Sequence, residues 1–120
     1  MFSTTKLFTL AAAALYASSS LVGVHATQAT WYQPNGELGA CGAPSQNSDL
    51  VVALPASKYD GGDNCWRHIG IHYEGKYVDA TVVDMCPGCD DNHIDISEGT
   101  FEKLADLGDG IIKITWEYAS

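Results

Sequence analysis

The 120-residue chain carries 15 acidic against 6 basic side chains, a net charge of −9 with histidine neutral. A surface this acidic repels nucleic acid and anionic membrane, so neither is expected as a partner; neutral polymers such as glycans, or a basic protein, remain compatible with it. The same charge also serves solubility alone.

The chain opens MFSTTKLFTLAAAALYASSSLVGVHA, with a single lysine, an apolar stretch over residues 7–16 and the small-residue signature Val24-His25-Ala26. This pattern predicts a secretory signal peptide over residues 1–26, and therefore a secreted, extracellular protein. Serines 18–20 interrupt the apolar segment well short of the roughly 20 residues a membrane span requires. Residues 27–120, 94 in number, then form one domain, expected as a monomer, with a net charge of −10 because only Lys6 is lost.

In chain order, residues 28–32 (QATWY) read as a strand and PNGELGACGAP as a glycine-rich loop. SDLVVALP is a short apolar strand stopping at Pro55, and SKYDGGDN is a loop. Residues 65–73 and 77–84 alternate apolar and polar around Glu74-Gly75-Lys76, which predicts a β-hairpin. HIDI follows the cysteine loop. A helix is then expected from the N-cap Ser97, with Phe101, Leu104 and Ala105 on one face and Gly108 as its stop. The last strand, GIIKITWE, places Ile112, Ile114 and Trp116 on one side. Six short strands and one short helix with glycine-rich connections suit a small closed all-β barrel better than an open sheet.

Cys41, Cys65, Cys86 and Cys89 read as two disulfides in a secreted domain, with three pairings open. The spacing Cys86-x2-Cys89-x3-His93 also fits zinc, but the secretory route favours oxidised sulfur, and CPGC lacks the βαβ context of a redox motif. No metal and no cofactor are expected.

Two carboxylates stand against apolar neighbours. Asp84 closes a strand whose face it shares, at period two, with Val78, Ala80 and Val82; Asp95 lies between Ile94 and Ile96. Burial and a second carboxylate both raise a carboxyl pKa, which prepares a general acid. The plainer reading has both aspartates capping loop amides. Arg67, His68 and His72 read as surface or groove-edge residues, and Trp66 and Trp116 as core fillers.

Taken in order, ATWY (29–32), GACG (39–42), ATVVDMCPGC (80–89), HIDIS (93–97), FEKLAD (101–106) and GIIKITW (110–116) resemble the double-psi β-barrel family. That family includes rare-lipoprotein-A-like proteins, the first domain of expansins, loosenins, barwin-like proteins and family 45 endoglucanases. The resemblance implies a six-stranded pseudo-twofold barrel with a shallow groove. It implies that Thr30 lines the groove, that Asp84 matches the aspartate of the V-x-D-x-C-P segment, and that Asp95 matches the general acid of the H-x-D-L-S motif. Trp31 and Tyr32 fall where a ring stacks on sugar. Two departures matter. Where the endoglucanases place a catalytic base this chain reads Gln33-Pro34-Asn35, and an inverting hydrolase needs a second carboxylate about 6.5–9.5 Å from the acid. Ile94 stands where expansins usually have phenylalanine, and 94 residues hold no second carbohydrate-binding domain. The resemblance therefore implies a non-hydrolytic, expansin-like protein that binds and loosens a cell-wall polysaccharide, cellulose or chitin-like, with Asp95 as acid and Asp84 beside it. A secreted protein-binding module, such as a protease inhibitor acting through loops like residues 34–44, is the alternative; nothing supports the flavin chemistry of some fungal relatives.

Overall fold

Period-two alternation produces six strands in the structure, a computed structural model that describes residues 23–120. They are β1 (His25–Tyr32), β2 (Val51–Pro55), β3 (His68–Tyr73), β4 (Lys76–Cys86), β5 (His93–Ser97) and β6 (Ile111–Tyr118). They close into a barrel in the order β1-β5-β2-β4-β3-β6, which leaves no strand edge unpaired. β1 runs parallel to β5 and β2 parallel to β4, while the other four pairings are antiparallel. This arrangement has a pseudo-twofold axis passing between β5 and β2 on one side and between β3 and β6 on the other. The all-β barrel expected from the sequence is the one observed.

The interior is filled from every strand: Ala29, Val52, Leu54, Ile69, Ile71, Ala80, Val82, Ile94, Ile96 and Trp116 are fully buried. β6 alternates as expected, with Ile112, Ile114 and Trp116 inside. The β3–β4 hairpin turns through Glu74 (φ 47°) and Gly75 (φ 82°), two left-handed residues whose twist matches that of the strands.

Helical structure is more broken than expected. Ser97 caps α2 (Glu98–Glu102) by accepting a hydrogen bond from the Thr100 amide. The helix does not reach Gly108, because Lys103 and Leu104 close i→i+3 bonds onto Thr100 and Phe101 and tighten the last turn. Phe101 and Leu104 are nonetheless fully buried, so the apolar stripe does its packing from one turn and a half. Where a loop was expected after Pro55, α1 (Ala56–Tyr59) forms a single turn, and a 3-10 turn (Asp60–Gly62) continues it.

The signal-peptide reading of residues 1–26 lies outside the described residues except for its last four. Two of those, His25 and Ala26, already pair with Trp116 and Thr115 of β6, and the His25 ring stacks on Trp116 with centroids 4.2 Å apart. Trp116 is a core residue as expected, but Trp66 is not: half of its surface, 50%, is exposed. Its left-handed backbone (φ 72°) turns the chain before β3 begins at His68, so period two cannot be extended back from β3 to it. Arg67, His68 and His72 lie at the surface, where Arg67 sits 3.7 Å from the Tyr118 ring centroid and the histidines pair with Asp79 (2.6 Å) and Glu117 (2.9 Å).

Candidate functional site

The placement of the site begins with one extra residue. Val82 of β4 pairs with Val52, but the next residue of β2, Ala53, pairs with Asp84, so Val83 is a β-bulge. A bulge re-aims every side chain beyond it. Strict period two would have left Asp84 on the core face with Val78, Ala80 and Val82; the bulge instead carries it to the outside, which corrects the face read from the sequence. On β2, Ala53 pairs with Asp95 on its other side, and Asp95 pairs with Thr30. Thr30, Asp95, Ala53 and Asp84 therefore stand side by side across four neighbouring strands. At the ordinary interstrand spacing the two aspartates are roughly 10 Å apart at the backbone. The residue between them, Ala53, is only 4% exposed, so the row is a narrow trough with a buried methyl as its floor between two half-buried carboxyls.

Asp95 is half-buried, and its Oδ1 accepts a 3.1 Å hydrogen bond from the Thr30 hydroxyl. The same hydroxyl oxygen lies 2.8 Å from His93 Nε2. With Asp95 ionised, a continuous run follows: His93 N–H donates to Thr30, and Thr30 donates to Asp95. Burial pushes the Asp95 carboxyl above its ordinary range; the Thr30 bond and nearby His93 pull it down, and the Asp84 charge pushes it up again. Burial also raises the Tyr32 phenol, with both aspartate charges adding to the effect, so the Tyr32 hydroxyl sits within the field of each.

Asp84 is anchored by a loop. Its Oδ1 accepts the backbone amides of Ala40 and Met85, each at 2.8 Å. The bulge carbonyl of Val83 accepts the Cys41 amide at 3.0 Å. Gly39 is required there, because a Cβ would lie 2.4 Å from the Val83 carbonyl oxygen. Cys41 is joined to Cys65, which ties this loop to the segment before β3, and Cys86 is joined to Cys89 across the turn that follows Asp84. That second bond occupies both sulfurs of the zinc-like spacing.

A cleft of about 210 Å³ runs from Asp84 past Tyr32, with Pro34, Glu37 and Leu38 on its walls. A larger hollow of about 430 Å³ lies outside β1 and β6, between Gln28, Asp90 and Lys113. The smaller cleft adjoins the trough at Asp84 and carries Tyr32, while Thr30, Ala53 and Asp95 lie outside its lining; the two together form the candidate site. Of the residues singled out in the sequence, the structure brings Thr30, Tyr32, Asp84 and Asp95 together. Trp31 points the other way: it packs against the core and its Nε1 donates to the Leu107 carbonyl at 3.0 Å. Two contributors escaped the sequence reading. His93 was legible, since period two puts it on the Asp95 face, but Glu37 reaches the cleft only through the folding of the loop. Replacing Thr30 by valine removes the hydroxyl that holds the Asp95 carboxyl down, so Asp95 is expected to titrate at higher pH in Thr30→Val than in the wild type. Carboxyl-carbon NMR titration of both proteins reads this directly.

A closed six-stranded barrel with two parallel pairs related by a pseudo-twofold axis is the double-psi class of small barrels. The sequence from residue 24 to 116 matches the double-psi family described as lytic transglycolase, and the chain belongs to that family. It is 37% identical over 97 residues to the papain inhibitor of Streptomyces mobaraensis, an alignment covering 74% of this chain and 67% of the inhibitor. The solved Streptomyces papain inhibitor superposes with a TM-score of 0.72 at 32% identity, over 81% of this chain and 94% of that one. A mutant Clavibacter michiganensis expansin in complex with cellohexaose superposes with a TM-score of 0.75 at 26% identity, over 81% of this chain and 50% of the expansin. Of several other relatives the chain spans between 26% and 49% of the length.

Proposed function

We propose that this chain is an extracellular, expansin-like domain that binds a cell-wall polysaccharide along the Thr30–Asp95–Ala53–Asp84 trough and loosens its packing without hydrolysis. The observation that carries this reading is the register: one half-buried carboxyl, hydrogen-bonded to Thr30 and raised by burial, stands in line with a second carboxylate on the far side of Ala53. A raised acid holds its proton to higher pH than an exposed carboxyl does, and so has it to share with a glycan hydroxyl or glycosidic oxygen. Burial pushes the Asp95 carboxyl up and the Asp84 carboxylate, one oxygen of which holds two amides, adds to that push, while Tyr32 offers its ring to the sugar. The similarity to an expansin solved with cellohexaose supports the choice of ligand class.

The test is a retention and product assay on amorphous cellulose and chitin. The protein is expected to be retained on at least one of them while releasing no sugar ends above the buffer background. Steady release, lost in Glu37→Gln, would instead make Glu37 the base of a hydrolase and overturn the non-hydrolytic reading.

A second reading is favoured by the 37% identity to a papain inhibitor. On that reading the loop over residues 34–44 contacts a cysteine protease and the aspartate trough is idle. Titrating papain separates the two, because an inhibitor of this kind keeps its potency in Asp95→Asn.

A further inference from the structure

Trp66 puts a large side chain where the turn into β3 needs a left-handed residue, and the fold does not explain that choice. Its backbone is left-handed, φ 72°, a region disfavoured for any large side chain and ordinarily given to glycine or asparagine. The residue is 50% exposed, so the strain is not offset by burial in the core. The other two tryptophans have structural positions: Trp116 is fully buried, and Trp31 packs on the core with its N–H on Leu107. An observed backbone outlier that persists without a packing reason points to function.

The location of Trp66 indicates which function. Its amide donates to the Val82 carbonyl at 2.8 Å, and the Val82 amide donates to the Arg67 carbonyl at 2.9 Å. Trp66 thus flanks the bulge on the side of β4 opposite β2, one segment beyond Asp84. The disulfide from its neighbour Cys65 reaches Cys41, next to the Ala40 amide that holds Asp84. On its other side Arg67 is fixed by Asn64 Oδ1 at 3.0 Å, by the Ser120 carbonyl at 2.8 Å and by the Tyr118 ring. The backbone that carries the indole is therefore firmly held, so no chain segment has to be ordered when a ligand covers the ring.

We propose that Trp66 is a sugar-stacking platform that lengthens the trough by one segment past Asp84, taking the apolar face of a pyranose ring of a neutral polysaccharide. This rests on the polysaccharide reading above. Trp66→Gly is the decisive variant, because glycine suits the left-handed backbone. It is expected to melt within about 2 °C of the wild type, while retention on amorphous cellulose or chitin weakens about tenfold. Trp66→Phe should recover part of that loss. In the wild type, soluble cello- or chito-oligosaccharides should blue-shift the indole emission, and the shift should vanish in Trp66→Gly. Equal retention of Trp66→Gly and wild type overturns the platform and leaves the trough standing. Failure of the wild type to bind either glycan overturns the trough and the platform together. A fall in melting temperature that accompanies the loss of binding makes Trp66 a structural residue, and weakened papain inhibition with unchanged glycan retention assigns it to a protein contact; both overturn the platform.

Discussion

Asp95→Asn is expected to abolish wall loosening, with extension of glycan sheets under load falling to the buffer background. General acids typically contribute about 10²–10⁴-fold, so a shared proton lost at this position leaves no measurable residue of the effect. Asparagine keeps the shape and still accepts from Thr30, so glycan retention should change by less than about threefold, the weakening of one hydrogen bond. The pH dependence follows from burial, which raises the folded-state carboxyl above its unfolded value of 3.8. The native protein therefore holds this proton more tightly than the unfolded chain. The associated stability is fully present below the unfolded value and is lost as pH rises through the raised native one. Loosening should fade over the same rise. Asp95→Asn removes that slope, so the variant should be no less stable than the wild type at neutral pH. An unchanged extension rate in Asp95→Asn would remove the acid from the mechanism.

Much of this was legible in the sequence, because strands are written at period two and nothing in the barrel contradicts them at β5 or β6. Ile94 and Ile96 against Asp95, and Ile112, Ile114 and Trp116 against Lys113, declare their faces directly. The Asp84 face was not legible, since a bulge is a pairing event between β4 and β2 and leaves no periodic trace in either strand alone. The exposure of Trp66 is hidden for a related reason: a left-handed residue breaks the alternation, and period two does not carry across it. Glu37 was invisible because a loop's contribution to a cleft depends on its folding, here an Asn35-Gly36 turn and the Leu38–Pro44 bridge. The disulfide pairing is open among three arrangements in sequence, because only the fold brings Cys41 beside Cys65.

That pairing predicts a large asymmetry between two double variants. The Cys41–Cys65 bond spans 24 residues and Cys86–Cys89 only three. Loop-closure entropy makes the first worth ~3.5 kcal/mol and the second ~1.6 kcal/mol. For a domain of this size the corresponding falls in melting temperature are roughly 15 °C for Cys41→Ser with Cys65→Ser and roughly 6 °C for Cys86→Ser with Cys89→Ser. The larger loss also reaches the site. Cys41 places its own amide on the bulge carbonyl and its neighbour's amide on Asp84, so freeing it loosens both bonds. Losing one amide bond to a carboxylate is worth about tenfold in affinity, and the Cys41→Ser, Cys65→Ser protein should show that loss of glycan retention even well below its melting point. The Cys86→Ser, Cys89→Ser protein should retain glycan nearly as the wild type does, because the Asp84 anchors lie on the other side of that turn. Scanning calorimetry beside a retention assay measures both. Equal destabilisation by the two double variants is what a crossed pairing would give, and it would sink this account of how the loop holds Asp84.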